Sequence, residues 1–145
     1  MYFVDRKKIE EILQYMDELL ELLDSRSFTG AVEELARERI VHVLIEATID
    51  VGNMMIDGFI MRDPGSYEDI IDILIDEKVL PQEDEEGYKK WIGLRKMLVT
   101  EYVDVDQQKV ADTVETCLPV LQQFSSHIQT YLKNELGVAN AFLKE

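Results

Sequence analysis

Apolar residues recur along the chain at intervals of three and four, and nowhere do they alternate with polar ones for long enough to build a strand. Ile9, Ile12, Leu13, Met16, Leu19, Leu20 and Leu23 form one stripe behind Asp5, which can cap a first helix. That helix should pack by one face only. Ser25 to Gly30 reads as a loop, and Thr29 with Glu33 opens a longer helical segment that reaches roughly to Met61. Within it Ile40, Val41, Val43, Leu44, Ile45, Ala47, Ile49, Val51, Met54, Met55, Ile56, Phe59 and Ile60 point in nearly every direction round the axis. A helix of about thirty residues, ~45 Å long, that is apolar on all sides needs cover on all sides. The expectation is that a second copy of the chain supplies part of that cover, with Gly52 and Gly58 allowing close approach.

One line on this second helix is polar: Arg39, Glu46, Asp50, Asn53 and Asp57, at spacings of seven, four, three and four. It reads either as a solvent-facing edge or as a wall that supplies a carboxylate to a partly buried arginine. Reading Glu46 and Asp50 as metal ligands finds neither a nearby histidine nor the further carboxylate motif such a site calls for. The spacing therefore predicts no metal.

Asp63-Pro64-Gly65-Ser66 is turn chemistry, and Ser66 with Asp69 resembles a capping box opening a short helix through Lys78, buried by Ile70, Ile71, Leu74 and Ile75. Leu80-Pro81 ends it. Glu83 to Glu86 then collect where the positive end of the next helix dipole explains them. The fourth helix places Tyr88, Trp91, Ile92, Arg95, Leu98, Val99 and Tyr102 inward and Lys89, Lys90 and Lys96 largely outward. Arg95 and Tyr102, seven residues apart, fall almost in register on one face. A guanidinium and a phenol on an apolar face need partners or water, so a cleft or an interface is expected there, with Asp50 as the first choice of partner for Arg95. Asp104 or Asp106 can cap a last helix over Gln107 to Leu136, kinked at Pro119 and ended by Gly137. The elements add up to an all-α antiparallel bundle of about five helices.

Composition narrows the chemistry. A chain of 145 residues suits one domain spanning its whole length. The single Cys117 excludes an intramolecular disulfide and agrees with a cytoplasmic protein, and no apolar run approaches the ~20 residues of a membrane span. Thirty acidic against fifteen basic residues leave a formal charge of -15, which removes the footprint of a general nucleic-acid binder. Contact with RNA must then be local; Lys89, Lys90, Arg95 and Lys96 form the densest basic cluster after Arg6, Lys7 and Lys8, a pattern that usually marks a solvated helix face.

Ile49-Asp50-Val51-Gly52-Asn53, Pro64-Gly65-Ser66-Tyr67, and Leu94-Arg95 leading to Leu98-Val99, Tyr102 and Val105-Asp106 resemble the HepT-like branch of the HEPN superfamily along nearly the whole chain. The resemblance implies a five-helix bundle that dimerises through the long second helix and the arginine helix. It also implies the toxin half of a toxin-antitoxin pair, a metal-independent ribonuclease in which an Arg-x4-6-His motif attends the scissile phosphate while the ribose 2′-hydroxyl attacks. Its partner would be a minimal nucleotidyltransferase that silences it by transferring AMP to a tyrosine. On this sequence the arginine is Arg95 and the tyrosine is Tyr102, with Glu46, Asp50, Asn53 and Lys96 in support. The histidine position is Thr100, whose hydroxyl cannot trade a proton near neutral pH. A straight helix also sets residue 100 about 140° away from Arg95. Cleavage should therefore be weak or lost, leaving RNA or nucleotide contact at Arg95 and AMP acceptance at Tyr102. His42, His127, Tyr131 and Cys117 read as structural. The competing class is a non-catalytic helical adaptor in which Arg95 serves only a salt bridge.

Overall fold

The computed structural model describes residues 2–143, with side chains as far as residue 137. Among them there are helices and no strands. Helix α1 runs Arg6–Ser25, where the Asp5 carboxylate accepts the Lys8 N–H at 3.0 Å and Ile9, Leu13, Met16, Leu19, Leu20 and Leu23 are buried. Helix α2 runs Ala31–Gly58, and Gly30 enters it at φ 96, a left-handed conformation that costs glycine nothing. Helix α3, Tyr67–Asp76, is capped as the sequence indicates, Ser66 Oγ accepting the Asp69 N–H at 3.1 Å. It stops short of the expected Lys78, because Lys78 itself turns to φ 62 and the N–H groups of Val79 and Leu80 close on the Leu74 carbonyl.

A short 3-10 turn, Gln82–Asp84, leads into α4, Glu85–Gly93, and a break at Leu94 separates α4 from the five-residue α5, Arg95–Val99. The single fourth helix expected from the sequence is thus two pieces, and it ends before Tyr102. Helix α6, Gln107–Leu121, has the Asp106 carboxylate accepting the Lys109 N–H at 3.0 Å, and α7 follows as Phe124–Leu143. Pro119 does more than kink the last helix: it lies in the final turn of α6, and the chain breaks before α7. Gly137 does not end α7, which continues to Leu143. With α4/α5 and α6/α7 each counted as one bent arm, the bundle has five arms, as the sequence implies.

The long apolar α2 is covered more completely by its own chain than its sequence suggests. Helices α1, α3 and α5 pack around it, and Phe3 donates its N–H to the Gly58 carbonyl at 2.9 Å, laying residues 2–4 over its end. From Val41 to Phe59 its apolar side chains are buried or half-buried. The part of α2 that its own chain leaves open is its first turns, with Val32 76% and Leu35 64% exposed.

Gly52 sits where α2 meets α3, and a Cβ built there would lie 2.5 Å from Ile70 Cγ2. Gly52→Ala is expected to destabilise by about 1–3 kcal/mol through overpacking. Because the clash is with one methyl group, combining it with Ile70→Ala should cost clearly less than the two changes summed, which denaturant titration of the four proteins would measure. Strict additivity would mean that the helices do not meet at this pair.

Candidate functional site

The break at Leu94 sets Arg95 at the start of α5, with its side chain 26% exposed against α2. Its Nε donates to Glu46 Oε1 at 2.6 Å. The partner is therefore Glu46, not the expected Asp50. The α-helical register is interrupted just before Arg95, where the Leu94 N–H closes on the Trp91 carbonyl at 3.2 Å. Asp50 lies one turn further along α2, exposed, where with Glu46, Lys8 and Tyr15 it lines a shallow groove between α1 and α2.

Two further side chains complete the cluster. The first residue of α3, Tyr67, presents its ring face to the guanidinium, 4.6 Å from its carbon to the ring centroid, a cation–π contact. One turn before Glu46 on α2, His42 Nε2 stands 3.7 Å from the same Glu46 Oε1 that Arg95 holds. Arginine, glutamate, histidine and tyrosine thus converge from three helices. The Glu46 hydrogen bond is the main reason the Arg95 pKa is raised above its ordinary value, against a lowering by desolvation. The cation is permanent. The hydrogen bond engages Nε, and a phosphate can approach the terminal nitrogens of the planar fork.

The remaining candidates lie apart from this cluster or differ in environment. Thr100 is exposed, and its Oγ1 donates to the Lys96 carbonyl at 2.7 Å, which turns the hydroxyl back onto its own helix end. Tyr102 is 68% exposed in the turn after α5, so the shared face with Arg95 does not exist in the folded chain. Lys96 is exposed and Asn53 is half-buried. Cys117 is buried, its thiol donating to the Gly87 carbonyl at 3.3 Å. Desolvation raises the pKa of that thiol, as expected of an inert structural cysteine. The sequence reading takes His42 as structural and counts no histidine near Glu46, where the structure sets its Nε2 3.7 Å from that carboxylate, and it gives Tyr67 no place at Arg95. The i, i+4 spacing of His42 and Glu46 on the polar side of α2 was the available signal for the first. For Tyr67 there was only its place in the Pro64-Gly65-Ser66-Tyr67 run.

In fold the molecule is an all-α bundle of HEPN type, and where α2, α3 and α5 meet an arginine is held between a carboxylate and an aromatic ring. The chain belongs to the HepT-like ribonuclease family, whose model, "Ribonuclease HepT-like", matches residues 9–128. It is 48% identical over 143 residues to "Putative RNase YutE" of Bacillus subtilis, covering 98% of this chain and 99% of that protein. A "Putative RNase" of Archaeoglobus fulgidus is 27% identical over 128 residues, covering 88% of this chain and 92% of that one. The solved structure of YutE, described as a cytosolic protein of unknown function, superposes with a TM-score of 0.92 over 94% of this chain and 96% of that chain. No described helix is long and apolar enough to cross a membrane.

Proposed function

We propose that this chain is a metal-independent RNA endonuclease of low power that grips the scissile phosphate with Arg95. The observation that carries the reading is the Arg95 geometry: Nε is fixed by Glu46 at 2.6 Å and the guanidinium is braced on Tyr67, while the side chain remains 26% exposed. A guanidinium held this way offers two terminal nitrogens at little entropic cost. Family membership supports RNA as the ligand. The net charge of -15 requires that contact to be local, and Lys96 beside Arg95 adds to it. Low power follows from Thr100: the position where the family motif has histidine holds no acid–base group near neutral pH, so proton transfer falls to a group outside that motif. Incubation with RNA in excess chelator tests the reading. Slow cleavage that Arg95→Ala abolishes is the expected result, and cleavage indifferent to Arg95 overturns it.

In the same reading the protein works in the cytoplasm as a homodimer of toxin-antitoxin type. The open Val32 and Leu35 on α2, with Tyr102 and Val103 after α5, are the apolar surface that supports an interface between copies. Its silencer is a minimal nucleotidyltransferase that places AMP on Tyr102, whose 68% exposure leaves the phenol accessible. Co-expression with such an enzyme should add adenylate to the intact mass, and Tyr102→Phe should remove it. Adenylate retained by the Phe variant would put the acceptor elsewhere.

A further inference from the structure

We infer that His42 is the acid–base residue of this site, doing from α2 the proton transfer that Thr100 cannot do from the end of α5. This rests on the reading of Arg95 as the phosphate grip. His42 Nε2 and Arg95 Nε both lie within 4 Å of one atom, Glu46 Oε1, at 3.7 and 2.6 Å, so a phosphodiester on Arg95 lies within reach of the imidazole. At 3.7 Å the His42–Glu46 contact is an ion-pair distance rather than a hydrogen bond, and the imidazole side chain is 31% exposed. Its Nε2 is therefore free for a substrate proton. Glu46 on its own helix is the charged group that meets it, and Arg95 on α5, with Tyr67 of α3 against its guanidinium, joins it through that carboxylate.

The step balances without a metal. The ribose 2′-hydroxyl gives its proton to His42 Nε2 as its oxygen bonds to phosphorus. Arg95 compensates the charge that builds on the phosphoryl oxygens. The bond from phosphorus to the 5′-oxygen breaks, that oxygen takes a proton from water, and the hydroxide left behind is neutralised by the imidazolium. The products are a 2′,3′-cyclic phosphate and a 5′-hydroxyl end.

The experiment follows cleavage of a short single-stranded RNA by the full chain in excess chelator, alongside RNA affinity and melting temperature, for wild type, His42→Ala, His42→Gln and Arg95→Ala. Both His42 variants should lose about 10²-fold in rate with RNA affinity and melting temperature unchanged, the size expected of a positioned acid–base group. Added imidazole should restore His42→Ala and not His42→Gln, whose side chain still fills the space. Variants that keep wild-type rate, a loss that follows RNA affinity or melting temperature, or a failure of imidazole to rescue His42→Ala would each overturn the assignment. A wild type that binds RNA through Arg95 without cutting it would also overturn the assignment and leave only the phosphate grip standing. If cleavage depends on His42 but is indifferent to Arg95, the grip is what fails.

Discussion

Replacing Arg95 with alanine is expected to slow RNA cleavage by about 10²–10³-fold, the usual cost of removing one preorganised group that meets developing charge. The effect on stability should be small. The pair it forms with Glu46 is only partly buried, at 26% and 36% side-chain exposure, and partly exposed ion pairs contribute about 0–1 kcal/mol. Loss of Arg95 does not strand a buried charge, because Glu46 keeps access to water. The two classes of function separate cleanly on this point. A phosphate grip loses cleavage and RNA affinity while its melting temperature moves by a few degrees at most. An adaptor in which the ion pair merely fastens α5 to α2 loses melting temperature and no ligand. Arg95→Lys is informative as well: lysine keeps the charge but not the planar fork, so it should recover little of the lost rate.

Trp91→Ala should be the most damaging single change to the fold, at about 3–5 kcal/mol out of a total that for such domains is about 5–15 kcal/mol. Trp91 is the largest of the fully buried side chains, at 0% exposure on α4, the helix that packs against both α6 and α3. Its removal leaves a cavity that three helices would have to close by moving. The indole N–H has no hydrogen-bond partner among the described residues, so the loss is one of packing and not of a polar contact. Trp91→Phe should therefore cost only a fraction of the alanine change, since it keeps an aromatic ring and buries no unpaired donor. Denaturant unfolding would show the alanine variant with a lower midpoint and an unchanged slope. An alanine variant that costs under about 1 kcal/mol would mean that α4 is not the packed centre of the bundle. The consequence reaches the site as well, because α4 leads through Leu94 directly into Arg95.

The site was half legible before any coordinates. Arg95 stands out as a guanidinium within an apolar helix face, and the polar line on α2 includes the carboxylate that it meets. Which member of that line it meets was not legible. Glu46 and Asp50 are one turn apart on the same stripe, and the choice between them depends on how far along α2 the short helix α5 is set down. Tyr102 misled for a related reason: its seven-residue spacing from Arg95 means a shared face only if the helix continues. It stops at Val99, where the Thr100 and Glu101 N–H groups both turn back to the Lys96 carbonyl.

What the chain alone determined is whatever the pitch of a helix and the chemistry of a side chain impose between near neighbours. The helical class, the caps at Asp5 and Ser66, and the absence of an imidazole at residue 100 all belong there, whereas the choice of Asp106 over Asp104 as the last cap does not. Tertiary structure alone decided that α2 is wrapped by its own chain, and that Arg95 reaches across 49 residues of sequence to Glu46, the carboxylate that His42 meets at i, i+4. Local spacing is set by covalent geometry, whereas contacts between helices depend on where each one breaks and how its neighbours pack. Neither of those is encoded at a fixed interval.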